Sequence, residues 1–192
     1  QKKRSRAASV TSTDDWVILS EGSEIEFVGY DTLEANVKIT RYRKVTSKKD
    51  GEMYQLVFNQ TPFYAEGGGQ LADGGKIQLS NGAVIQVEDV QSPLPGLIVH
   101  RGNVVSGVIK AGASVVADID LERRLAISRA HTATHMVHKA FREALGETAT
   151  QAGSENAPGR FRFDFPSTSA VPISVLNDVE SRVNELLIAD LQ

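Results

Sequence analysis

The hydrophobic pattern of this chain changes period once, near residues 118–120, and that change dictates two kinds of structure in one polypeptide. From Trp16 to about Ala117, short apolar runs alternate with turn residues, which is strand spacing. The candidate strands are "SEIEFVGYD", "LEANVKITRYRKV", "EMYQLVFNQ", "GKIQLSNGAVIQVEDVQ", "GLIVHRGNVV" and "ASVVADID". Within the fourth, Asn81-Gly82 is expected to form a type I′ hairpin turn, because both central positions of that turn need φ > 0. Many strands with no helix between them imply a small antiparallel β-barrel.

After residue 120 the apolar residues fall three or four apart: Leu121, Leu125, Ala130, Ala133, Met136, Val137, Ala140, Phe141 and Leu145. That is a helix, with Asp120 placed to cap it and Gly146 suited to the left-handed position after its last turn. "RFRFDF" then alternates as a half-buried strand with Phe161, Phe163 and Phe165 on one face. A second helix is expected after Pro172, capped by Ser174 and carrying Val175, Val179, Val183, Leu186 and Leu187. The expected class is α+β: a β-barrel over residues 16–118, then a truncated α/β core of helix–strand–helix over 119–192. Residues 1–15 are polar and small and read as a linker remnant, and a start at Gln1 rather than Met suggests an internal piece of a longer chain.

Composition narrows the function. The 192 residues include no cysteine, which excludes disulfides and any thiolate-containing zinc site built within this chain alone. No apolar run approaches the roughly 20 residues of a membrane span, and the stretch "QKKRSRAASVTSTDD" has none of the apolar character of a signal peptide. A net charge of −3 means that nucleic-acid binding would need a local basic surface. "RYRKVTSKKDG", with Arg41, Arg43, Lys44, Lys48 and Lys49, is the candidate for one; a solvated hairpin tip is the alternative.

Two stretches carry chemistry. In "RAHTATHMVHKAFREALG", His131 and His135 are four apart, which puts both imidazoles on one helix face, close enough to share a metal ion. Thr132 stands where a zinc protease carries its glutamate base, so that chemistry is excluded. His138 continues the face as a packing or supporting residue, since three turns of a straight helix diverge from a single point. A helix face with no metal is the other reading. In "TPFYAEGGGQLADGG", Gly67, Gly68 and Gly69 remove three successive Cβ atoms, which suits a sharp turn or the close approach of a ligand. Gln70 follows with a donor and an acceptor to point at whatever sits there.

Together, "TPFYAEGGGQ", "LIVHRG", "RAHTATHMVH", "QAGS" and "FRFDF" resemble, in order and spacing, the editing region of the alanyl-tRNA synthetases. The likeness runs from about Ile25 to Leu191; the threonyl-tRNA synthetases share a related H-x-x-x-H module but less of the strand-rich part. The resemblance implies an enzyme that attaches alanine to tRNA-Ala with ATP, and a part of it that hydrolyses mischarged Ser-tRNA-Ala and Gly-tRNA-Ala. A pocket shaped for alanine cannot exclude glycine and rejects a hydroxyl only weakly, so a second sieve is needed. The resemblance further implies zinc held by His131 and His135, with the other ligands in a C-x-x-x-H beyond Gln192. It implies Gln70 and Thr132 as catalytic residues lining the pocket, and Gly67–Gln70 as the substrate-binding turn. The partner would be tRNA-Ala in the cytoplasm, with no membrane and no DNA, and this piece by itself would hold zinc weakly and deacylate poorly. A free-standing trans-editing deacylase and a non-catalytic RNA-docking module are the alternatives.

Overall fold

The computed structural model describes residues 10–21, 25–110 and 112–189. The chain forms two compact units: one runs to Glu66 and resumes from Ala72 to Leu121; the other takes Gly67–Leu71 and everything from Glu122. The α+β class is as expected.

In the first unit, the antiparallel strands are β1 (Val10–Thr13), β2 (Val17–Ile18), β4 (Glu34–Val37), β5 (Ile39–Ser47), β6 (Gly51–Phe58), β8 (Gly75–Leu79), β9 (Val84–Leu94), β10 (Leu97–Ser106) and β11 (Val115–Ile119). Among the described residues they make a nine-stranded sheet in the order β1-β5-β6-β10-β9-β8-β11-β4, with β2 added to β5. Short β3 (Glu26–Phe27) and β7 (Gln60–Thr61) pair in parallel beside it. Alternation puts Ile77, Leu79, Ile85, Val87, Val115 and Ala117 in one buried cluster with Leu56, Phe58 and Phe63.

The expected barrel is not a closed ring of paired strands: the path is open, from β1 to β4. The β4 end nevertheless returns to β5, the strand next to the other end, because Lys38 alone separates β4 from β5. There the ladder gives way to a side chain: Lys38 N–H donates to Asn59 Oδ1 at 2.7 Å, and Asn59 N–H donates to the Lys38 carbonyl at 3.1 Å. Of the expected linker, residues 1–9 lie outside the described residues, and Val10–Thr13 form strand β1 against β5.

The hairpin at Asn81-Gly82 differs from expectation. Gly82 N–H donates to the Leu79 carbonyl at 2.9 Å, so Ser80 and Asn81 are the central residues and Gly82, at φ 86°, follows them. That is the three-residue hairpin whose last position needs the left-handed region. Asn81 shifts the register because its side chain is committed: Oδ1 accepts from Ala83 N–H and Nδ2 donates to the Val108 carbonyl.

In the second unit, α1 (Leu121–Leu145) begins directly after Asp120 and ends at Gly146, whose φ of 88° and N–H bond to the Arg142 carbonyl make the expected left-handed cap. β12 (Gly153–Ala157) and β13 (Arg160–Asp164) form a hairpin through Pro158-Gly159, and α2 (Ile173–Ala189) follows. β12 was not expected, since "GSENA" carries no β-branched or aromatic residue. α2 starts before Ser174: Leu176 N–H bonds the Pro172 carbonyl at 3.2 Å, which puts Ser174 in the first turn. Ala140, Phe141, Ala149 and Val179 form the core here, with Phe163, Phe165 and Val175 packed on it. Arg182 ties α2 to α1 through Glu143 Oε2 at 2.9 Å, and that bond holds the Glu143 carboxyl below its ordinary range.

Candidate active site

The triple glycine is a turn. Gly67 and Gln70 exchange both backbone hydrogen bonds, at 3.1 and 2.9 Å, with Gly68 at φ 59° and Gly69 at φ 80° between them. Two successive positive φ values define the type I′ turn, which only glycine adopts freely. Gly69 has a second constraint: a Cβ there would lie 2.3 Å from Ser154 Oγ. The stem of this excursion is fixed in the first unit, where Tyr64 N–H donates to Asp73 Oδ2 at 2.7 Å and Asp73 N–H returns a bond to the Tyr64 carbonyl.

Gln70 leaves the turn aimed at α1. Its Oε1 lies 3.1 Å from His131 Nδ1, across 61 residues of sequence. An amide oxygen accepts, so His131 donates from Nδ1, and the neutral ring then keeps its lone pair on Nε2. The His131 and His135 rings stack at 4.9 Å and 28°, His131 half-buried and His135 exposed. The two imidazoles and the Gln70 amide are thus brought together in one place.

Other residues sit differently. Thr132 is exposed. Thr134, two positions on, is buried and within 2.6 Å of Asn156 Oδ1. His138 packs on the Phe163 ring at 5.1 Å, a supporting part as its position in the helix suggested. Thr134 and Asn156 are polar residues to which the sequence pattern assigns no part, and Ser154 belongs to the "QAGS" stretch. The Pro158-Gly159 pair before "RFRFDF" is the signal that would have revealed β12 and, with it, Asn156.

As a zinc site the donor set is half complete. Zinc takes four ligands, or three and a water, and among the described residues no group of three or more His, Cys, Asp or Glu is placed to hold a metal. The pair fits two positions of such a shell and no more. The cations of the basic stretch are differently engaged. Lys44 pairs with Glu52, which raises the lysine's pKa, while Arg43 stacks on Trp16 at 4.4 Å and bonds Gln55. Lys48 and Lys49 are exposed on the β5–β6 turn, the hairpin-tip reading.

His100 completes the set of histidines. It is wholly buried in the first unit, between Phe58 and Phe63, and burial lowers its pKa to about 4. Nδ1–H donates to the Leu56 carbonyl at 3.2 Å, and Nε2 accepts from the Thr61 hydroxyl at 2.7 Å.

Among the described residues no helix is long and apolar enough to cross a membrane. The family described as tRNA synthetases class II (A) matches residues 1–123. The alanine–tRNA ligase of Nocardioides sp. is 58 % identical over 176 residues, covering 90 % of this chain and 20 % of the relative. That of Acidothermus cellulolyticus is 58 % identical over 175 residues, and that of Streptomyces avermitilis 48 % over 178. The chain spans about a fifth of the length of these relatives. The chain therefore belongs to the class II (A) tRNA synthetases, and within them it is similar to one stretch of the alanine–tRNA ligases.

Proposed function

We propose that this chain is the editing region of an enzyme that charges tRNA-Ala with alanine at the expense of ATP. Its own reaction is hydrolysis of Ser-tRNA-Ala and Gly-tRNA-Ala. The observation that carries the reading is the Gln70–His131 bond, which orients an imidazole beside a second one at the mouth of a tight glycine turn.

In this reading Gln70 fixes the His131 tautomer, so that Nε2 presents its lone pair while His135 stacks beside it. Water adds to the acyl carbon, the ribose oxygen leaves with a proton, and the products are a free amino acid and uncharged tRNA. His131 and His135 would hold two positions of a zinc ion, which when bound would polarise the ester. The Gly67–Gly69 backbone, free of side chains, lies against the substrate. Gln70 hydrogen-bonds its polar groups, and Thr132 lines the rim. The mischarged acceptor end of tRNA-Ala is the partner, and the work is cytoplasmic.

The test replaces His131 and His135 with alanine in the full-length enzyme. Deacylation of seryl-tRNA should be lost while alanylation persists. Undiminished deacylation would overturn the reading, and lost tRNA binding would favour a docking role.

A further inference from the structure

One buried asparagine in the second unit is tied both to the glycine turn and to α1. Asn156 is 0 % exposed. Its N–H donates to the Gly69 carbonyl at 2.6 Å and its carbonyl accepts from Leu71 N–H at 3.1 Å, so it grips the backbone on both sides of Gln70 in a parallel bridge. Its side chain reaches the other way: Oδ1 lies 2.6 Å from the Thr134 hydroxyl, and Thr134 is itself only 2 % exposed.

Thr134 sits on the same helical turn as both histidines, three residues after His131 and one before His135. Its hydroxyl has a single hydrogen, and the Ala130 carbonyl at 3.0 Å also competes for it. The shorter contact is to Asn156. Nδ2 is buried with no hydrogen-bond partner among the described residues. An apolar residue of similar size would avoid that cost, so packing alone does not account for an amide here. What the amide supplies is a second strut. Gln70's side chain meets α1 at His131, and Gln70's backbone meets it again, through Asn156, at Thr134.

We propose that Asn156 is a positioning residue that seats Gln70 against His131, through the Gly69–Leu71 backbone and the Thr134 hydroxyl. This rests on the editing reading and acts through Gln70, without contact to the reacting ester. A turn attached at one point slides along the helix; attached at two, it holds the amide oxygen in line with Nδ1. Misplacement on this scale costs rate rather than binding.

The test uses Asn156→Val in the full-length enzyme, with kcat and KM of seryl-tRNA deacylation measured separately. We expect kcat to fall about 10- to 100-fold, with KM within about twofold, the range seen when an outer-shell hydrogen bond is lost. In the 192-residue chain, long-range 15N spectra of the histidine rings should show His131 losing its Nδ1–H preference while His100 keeps its own. Asn156→Asp, which retains the acceptor oxygen, should restore that preference. If Asn156→Val does not fold, Asn156→Ala carries the same readouts. Unchanged kcat together with an unchanged His131 tautomer overturns the proposal. If His131→Ala still abolishes deacylation in that case, the editing reading stands without it.

Discussion

His100 and His131 are the same side chain put to opposite uses in the two units. His100 has both ring nitrogens engaged, by the Leu56 carbonyl and the Thr61 hydroxyl, and lies in an apolar core that keeps it neutral. Nothing of it is left to offer a ligand. His131 has one nitrogen oriented by Gln70 and a second ring stacked beside it on a half-buried surface. A fully satisfied imidazole is a building block; on the proposed reading, the half-satisfied one keeps a nitrogen for chemistry.

The contrast predicts separable effects. The largest is on rate: His131→Ala in the full-length enzyme should lower seryl-tRNA deacylation about 100-fold or more. Thermal unfolding of the 192-residue chain should barely move, since His131 is only half-buried. A melting temperature that fell as far as the activity would erase the distinction.

Next comes pH. His100 titrates at about 4 when folded and near 6.5 when unfolded, so the unfolded chain takes up a proton that the folded chain refuses. Its contribution to stability is complete above pH 6.5 and is lost as the pH falls towards 4, about 3 kcal/mol in all. Denaturant titrations at pH 7 and pH 4.5 should show most of that loss in the wild type. His100→Phe should weaken this pH dependence, while also destabilising the chain at pH 7 by about 1–3 kcal/mol through the unpaired Thr61 and Leu56 groups.

Smaller effects separate the two glycine turns. Gly69→Ala meets both a φ of 80° and the Ser154 hydroxyl, and should cost about 2 kcal/mol or more. Gly82→Ala has open space around it and only the φ of 86° to strain, about 1–2 kcal/mol. Equal costs at the two positions would mean that the Ser154 approach does not constrain the site turn. The smallest effect belongs to Thr132→Val: on an exposed position it should change deacylation by less than about threefold, in contrast to Gln70→Leu, which should resemble His131→Ala.

Elements set by neighbours along the chain were legible in the sequence. Period-2 runs gave the strands, period-3.6 spacing gave α1, and Gly146 closed it where a left-handed cap was called for. Errors came where a local signal was outvoted by its surroundings. Asn81 looked like half of a type I′ pair, but its amide is tied to Ala83 and Val108, 27 residues away. "GSENA" has no strand propensity, and it is a strand because β13 and the glycine turn lie on either side of it.

Side-chain periodicity, turn chemistry and the four-residue spacing of the histidines depend on neighbours along the chain, so the amino-acid order was enough to settle them. The meeting of Gln70 with His131 across 61 residues, and of Thr134 with Asn156 across 22, was not encoded in any local pattern. Those contacts exist because a stapled turn, a helix and a hairpin pack together, and packing is a property of the folded whole. For the same reason Thr134 is buried and Thr132 exposed: two residues of one type, two positions apart, are told apart only by what covers the helix.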